Sequence, residues 1–145
     1  MVITRSVVFV CDKEEFSGVK KIAGKVCLDV ERITGPSTGS GTPKVQDAVP
    51  DPVEGPAEKV FFATLGQSPL AQKLADDQRL TAELGKIKGK RECYIFAVRS
   101  DKIIIIGSDK RGTIYGLFHL SELMGVSPLV DWCGVLPAKR ESVKI

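Results

Sequence analysis

The strongest constraint on the fold is that the most apolar segments of this sequence are short. Residues 103–106 and 7–10 form runs of four, a length typical of a buried strand. No apolar run approaches the roughly 18 residues that cross a bilayer, and none is as long as the core of a signal peptide. The sequence therefore predicts a protein with no membrane span. We expect it to be cytoplasmic as the sequence stands, and secreted or periplasmic if a leader has been removed.

Between these runs, the spacing of apolar residues changes to that of a helix. From Val19 to Ile33 the apolar side chains recur at intervals of three and four, opposite a face rich in lysine. This pattern predicts an amphipathic helix of about four turns. Gly35 is suited to end it, and Pro36 prevents its continuation.

The remaining patterns complete an alternation of strands and helices. Only Ser100 and Asp101 separate two strongly apolar segments, which predicts an antiparallel hairpin with both strands in the interior of a sheet. The order β-α-β-α-β-β-α predicts an α/β (α+β) fold, a mixed β-sheet with packed helices. The predicted strands are residues 6–10, 59–65, 92–99 and 102–106, and the predicted helices are residues 19–33, 69–74 and 113–124, with a short helical turn at 80–84.

Residues 35–58 differ in composition from the rest of the chain. They contain five of the eight prolines, so we expect no regular secondary structure there. Two interpretations remain open, a surface loop and a loop that contacts a ligand.

The turn after the last predicted strand is the sharpest candidate site. Ser108, Asp109, Lys110 and Arg111 lie where a buried strand leads into a helix, and the free N–H groups of a helix start can bind an anion. A nucleotide is disfavoured because Thr113 stands where a P-loop needs lysine. Two interpretations remain: Lys110 and Arg111 hold a sugar carboxylate, or Ser108 or Asp109 caps the helix and the two cations are solvated.

Other patterns argue against several classes of chemistry. The four cysteines include no CxxC pair, and His119 is the only histidine, so we predict no metal site and no cofactor. His119 has no identifiable triad partner and is predicted to be structural. The net charge of +3 and a basic turn at residues 86–91 without aromatic side chains predict no nucleic-acid binding. No spacing of carboxylates indicates a catalytic pair, so no catalytic residue is predicted.

Several segments together resemble one known family. Their order and spacing are similar to those of the N-terminal domain of glycoside hydrolase family 115, from about residue 6 to residue 135. The most specific of them is the run Gly-Ser-Asp-Lys-Arg-Gly-Thr-Ile-Tyr-Gly that begins at Gly107. The other segments are residues 29–35, 63–70, 87–92 and 120–128.

The resemblance implies a parent enzyme that removes α-glucuronosyl side chains from xylan with inversion. In such enzymes an α/β domain, similar to the N-terminal domains of hexosaminidases and other α-glucuronidases, precedes a catalytic TIM barrel. A barrel needs about 200 residues, more than the 145 of this chain. We therefore expect a non-catalytic N-terminal accessory domain at residues 1–128, inactive alone, and a linker at 129–145 that leads into the absent barrel.

Two kinds of partner follow from this resemblance. The first is the catalytic barrel of the parent protein, and its absence would leave an apolar face through which a homodimer could form. The second, under the alternative of a freestanding carbohydrate-binding module, is an acidic xylo-oligosaccharide. Trp132, the only tryptophan, could then stack on a sugar; its other interpretations are an interface residue and a core anchor. After Pro128 the family pattern is strongly aromatic, whereas here Trp132 alone is kept.

Overall fold

The computed structural model describes residues 1–35, 42–48, 58–75 and 78–145. A five-stranded mixed sheet in the order β3-β2-β4-β6-β5 forms its centre, and β1 pairs separately with β7. The mixed sheet with packed helices expected from the sequence is confirmed. The strands are β1 (Val2–Ile3), β2 (Val8–Cys11), β3 (Lys44–Asp47), β4 (Lys59–Thr64), β5 (Tyr94–Val98), β6 (Lys102–Gly107) and β7 (Val143–Lys144), and the helices are α1 (Ser17–Thr34), α2 (Pro69–Leu74), α3 (Gln78–Ile87), α4 (Lys110–Leu123) and α5 (Val130–Cys133).

Helices cover both faces of the sheet, and the side chains of β6 alternate between them. Ile103 and Ile105 join the core shared with α1 and α4, whereas Ile104 and Ile106 join the core shared with α2 and α3. Because successive side chains of a strand point to opposite faces, a continuous apolar run is what a strand between two helical layers requires.

The hairpin of β5 and β6 is confirmed, but the position predicted for β5 is wrong. The two strands pair antiparallel, with Val98 opposite Ile103. However, β5 lies at the edge of the sheet and not in its interior. Its apolar character arises because α3 and α4 both contact it. Ile95 and Ala97 are buried in the core shared with α3, whereas Tyr94 and Phe96 on the other face are only half-buried and Val98 is exposed.

Part of the segment expected to lack regular structure forms β3. Lys44–Asp47 pairs parallel with β2, and Lys20 of α1 holds Asp47 through an ion pair of 2.9 Å. The sequence signal was weak because an edge strand exposed to solvent needs few apolar residues. The rest of that loop, residues 36–41 and 49–57, lies outside the described residues.

The two chain ends pair with each other, which the sequence patterns did not predict. β1 and β7 are antiparallel, and the amino group of Met1 donates a hydrogen bond of 2.8 Å to the carbonyl oxygen of Ile145. Val143 of β7 is buried against the α1 and α4 side of the sheet. Residues 130–133 form the single turn α5, so the tail contains regular structure of its own.

The helices begin and end close to the expected residues. α1 ends at Gly35, which has a positive φ of 72°, as predicted. α3 is longer than the expected short turn and continues to Ile87. α4 begins at Lys110 and not at Thr113, because Asp109 caps it. No helix in the described ranges is long and apolar enough to cross a membrane.

Candidate functional site

Asp109 and Ser108 connect the start of α4 to the segment that precedes β5. Asp109 Oδ1 accepts the N–H of Gly112 at 2.8 Å, and its Oδ2 accepts the N–H of Glu92 at 2.9 Å. Ser108 Oγ accepts the N–H of Cys93 at 3.1 Å. Both side chains therefore stabilise the fold at this turn, as the capping interpretation predicts.

These hydrogen bonds lower the pKa of Asp109 below its usual 3.8, chiefly through the N–H of Gly112 and then that of Glu92. A lowered pKa stabilises the folded protein above the unfolded-state value, and this contribution is lost as the pH falls through the lowered value.

We expect Asp109→Ala to reduce the free energy of unfolding by about 1 kcal/mol at neutral pH, as for other N-cap losses. Asp109→Asn keeps an oxygen acceptor but cannot titrate, so its stability should fall less steeply than that of the wild type below pH 3.8. Urea unfolding of the three proteins between neutral and acidic pH measures both effects. Parallel pH curves for the wild type and Asp109→Asn would contradict the assignment.

The two cations beside this cap lie on the surface. Arg111 forms an ion pair of 2.8 Å with Glu92, and donates to the hydroxyl of Tyr115 at 3.3 Å. The Lys110 ammonium lies 6.0 Å from the centre of the Phe16 ring, at the limit of a cation–π contact. A sugar carboxylate would have to compete with Glu92 for Arg111, and a ligand role for these cations stays a prediction.

A buried carboxylate nearby was missed by the sequence analysis. Glu15 is buried after β2. Its carboxylate accepts the N–H and the hydroxyl of Thr64, both at 2.8 Å, and the N–H of Phe16 at 2.9 Å. The Thr64 hydroxyl also contacts the Thr113 hydroxyl at 2.7 Å. Glu15 therefore connects the loop after β2 to the end of β4 and to the first turn of α4.

Trp132 is far from the other predicted site residues. It lines a groove of about 290 Å³ between α1, the later part of α4 and α5. Ser121, which also lines this groove, is ten residues beyond Arg111 on α4, a separation of about 15 Å along the helix axis. The five residues predicted from the sequence therefore do not form one site: Ser108, Asp109, Lys110 and Arg111 lie together, and Trp132 does not join them.

Arg32 forms ion pairs with two carboxylates that line this groove. It donates to Asp29 at 2.8 Å and to Asp131 at 2.6 Å, and these bonds raise its pKa, the one to Asp131 most strongly. Asp29 is buried and also accepts the hydroxyl hydrogen bond of Ser121 at 2.7 Å. Through its bond to Asp131, Arg32 attaches α5 to α1 and holds the tail against the rest of the domain.

The apolar side of the groove faces solvent. Trp132 is 87% exposed, so it is not a core anchor, which leaves the interface and sugar-stacking interpretations. Phe118 and Leu28 are also exposed and line the same groove. A cluster of this kind is typical of a surface that binds another molecule.

Comparison with solved structures shows a similarity to a glycoside hydrolase. The chain superimposes over 100% of its length, with a TM-score of 0.74 and 26% sequence identity, on BtGH115A, a 4-O-methyl-α-glucuronidase of family GH115 with specificity for decorated arabinogalactans. The matched region is 17% of that enzyme.

The other comparisons add little. A GH138 enzyme that targets pectin rhamnogalacturonan II matches 94% of this chain and 15% of its own with 17% identity and a TM-score of 0.44, a likeness too weak to carry an argument. No protein-family model and no curated protein matches the chain. The fold and the sequence together therefore show that this chain resembles a region of a family GH115 α-glucuronidase.

Proposed function

We propose that this chain is a non-catalytic accessory domain of an α-glucuronidase-like glycoside hydrolase, with residues 1–128 forming the N-terminal domain. The observation that carries the proposal is the match over the whole chain to 17% of a longer glucuronidase. Residues 129–145 would lead towards the catalytic barrel, and the contacts of α5 and β7 would set the position of that connection.

The surface near the tail supports a partner domain at this place. α5 and the residues around it expose a run of large apolar side chains, which is unusual for a surface that faces only water. We propose that the catalytic barrel of the parent protein covers them. They are Leu129, Trp132, Val135 and Leu136.

The buried carboxylates support a structural role for the domain. Inverting hydrolysis of a glycoside needs two carboxyl groups about 6.5–9.5 Å apart, one of them free to act on water. In the described part of the chain, the buried carboxylates are Glu15 and Asp29. Glu15 accepts three hydrogen bonds and Asp29 is held by Arg32 and Ser121, so we assign both to stability.

The substrate that we propose for the parent enzyme is a plant polysaccharide bearing α-linked glucuronosyl or 4-O-methylglucuronosyl side chains. Xylan was the expectation from the sequence resemblance. The structural neighbour is instead named for decorated arabinogalactans, so both polymers belong in the test.

We expect the isolated chain to release no glucuronic or 4-O-methylglucuronic acid from glucuronoxylan or from decorated arabinogalactan. Because Trp132 is the only tryptophan, its fluorescence reports directly on this surface. In the isolated chain its emission should resemble that of tryptophan in water. A fused family 115 catalytic barrel adds tryptophans of its own, so the emission of Trp132 in the fusion is taken as the difference between the fusion and its Trp132→Phe variant, and it should lie at shorter wavelength. Release of either acid by the chain alone, or unchanged emission in the fusion, would contradict the proposal.

The alternative, a carbohydrate-binding module for acidic oligosaccharides, has one observation in its favour. Trp132 is exposed beside Arg32, a pairing of an aromatic face and a cation that suits a sugar acid. Titration of the chain with an acidic xylo-oligosaccharide separates the two proposals. A change in Trp132 fluorescence, absent with the neutral xylo-oligosaccharide, would favour the binding module.

A further inference from the structure

The two edges of the five-stranded sheet differ in chemistry. At one edge, β3 exposes Lys44, Gln46 and Asp47, and charged side chains discourage the addition of another strand. At the other edge, β5 has the sequence Tyr-Ile-Phe-Ala-Val, without a charge, a proline or a glycine. Within the described ranges, no strand pairs with the outer side of β5. Such an edge is a template for strand pairing.

The hairpin register shows which backbone groups β5 presents at this edge. Arg99 donates its N–H to Lys102 O at 2.8 Å, so the odd-numbered residues from 93 to 99 bond to β6. Because bonding residues alternate along an antiparallel pair, the N–H and C=O groups of Tyr94, Phe96 and Val98 point outward. These three alternate residues can form six hydrogen bonds with an added strand. The Val98 carbonyl oxygen already accepts a bond of 3.3 Å from the Arg99 guanidinium, and its second lone pair is the acceptor that remains.

An apolar strip accompanies this row of backbone groups. Val98 is 37% exposed, and Tyr115 and Leu123 of α4 are 40% and 46% exposed. Between them lies His119, whose Nδ1 is 3.0 Å from the Tyr94 hydroxyl and whose ring is 5.0 Å from that of Phe96. We call this surface the β5 edge; it consists of Tyr94, Phe96, Val98, Tyr115, His119 and Leu123.

We propose that the β5 edge binds a second copy of this chain, with the two β5 strands antiparallel about a twofold axis at Phe96. In this register, Tyr94 of one copy pairs with Val98 of the other, and all outward backbone groups find partners. A twofold interface requires a surface that is complementary to itself, and the β5 edge satisfies this condition in two ways.

The first is charge. β5 itself carries no charged side chain, so the register that pairs Phe96 with itself places no like charges opposite each other within the strand pair, where they would be unfavourable.

The second is the apolar strip. α4 runs alongside β5, and His119 packs beside Phe96, close to the proposed axis. Tyr115 and Leu123 lie four residues before and after His119. The twofold axis therefore brings Tyr115 of one copy towards Leu123 of the other, so that the exposed apolar side chains cover each other. This inference does not depend on the proposed function, because the groove at Trp132 is a different surface.

Sedimentation equilibrium of the 145-residue chain tests the proposal between about 1 µM and 1 mM, the range of moderate to weak association. We expect a reversible dimer. Val98→Lys should weaken it at least tenfold, because it places two ammonium groups in the interface, whereas Gln46→Lys on the β3 edge should leave it unchanged. Circular dichroism melting confirms that each variant is folded.

Hydrogen exchange tests the surface itself. The amides of Tyr94, Phe96 and Val98 should exchange slowly only at concentrations where the dimer forms, whereas those of Ile95 and Ala97, which face β6, should be slow at every concentration. A chain that is monomeric throughout would overturn the proposal. So would a dimer whose concentration-dependent protection falls on residues 129–136, which would assign the contact to the tail.

Discussion

Replacing Gly112 by alanine is expected to reduce the free energy of unfolding by about 3 kcal/mol or more, the upper end of the range for overpacked cores. A Cβ at this position would lie 2.2 Å from the carbonyl oxygen of Cys93. That oxygen belongs to the backbone and accepts the N–H of Ser108 at 2.8 Å, so it cannot move aside without breaking a bond that joins β5 to the turn. The measurement is equilibrium unfolding in urea.

Gly24→Ala is the matched control for this prediction. Gly24 also lies within a helix, but nothing is within 4 Å of the Cβ that alanine would add. Since alanine favours helix over glycine by about 1 kcal/mol, this change should stabilise the protein slightly. Similar effects of the two substitutions would show that helix propensity, and not the contact with Cys93, determines the result.

Replacing Glu15 by alanine is the second large expected loss, also about 3 kcal/mol. The change leaves the buried N–H of Thr64 without its carboxylate acceptor, and removes the acceptors of the Thr64 hydroxyl and the Phe16 N–H. Leaving a buried polar group unsatisfied costs about 1–3 kcal/mol. The expected result is a lower midpoint of urea unfolding with an unchanged slope.

Two variants control for this effect. Glu14→Ala changes the neighbouring exposed carboxylate and should alter stability by no more than about 0.5 kcal/mol. Glu15→Gln keeps one oxygen acceptor and should fall between alanine and the wild type. If Glu15→Ala were as stable as Glu14→Ala, the hydrogen-bonded cluster with Thr64 would not contribute to stability.

The glycines of α4 show what a local pattern can predict. Gly112 and Gly116 are four residues apart, a spacing that lets another part of the chain approach the helix closely, and the structure has such close packing at both positions. A Cβ on Gly116 would lie 2.5 Å from Ile105 of β6. The spacing did not indicate that Gly112 meets the backbone of Cys93, because the two residues are distant in the sequence.

The candidate functional residues also divide into those that the sequence indicated and those that it did not. The turn at Ser108 and Asp109 could be found because a strand, a glycine and a helix start follow one another in the sequence. Glu15 could not be separated from the exposed acids beside it, since its partner Thr64 is 49 residues away. Trp132 stood out as the only tryptophan, but its distance from Arg111 follows from the length of α4.

The sequence by itself determined α1, α2 and α4, the apolar strands and the β5–β6 hairpin, because these depend on side-chain periodicity and short connections. It also carried the resemblance to a glycoside hydrolase domain. Only the tertiary structure decided that Lys44–Asp47 joins the sheet, that the chain ends pair as β1 and β7, and that β5 lies at an open edge. Each of these depends on hydrogen bonds between backbone groups distant in sequence, and such bonds leave little trace in the order of side chains.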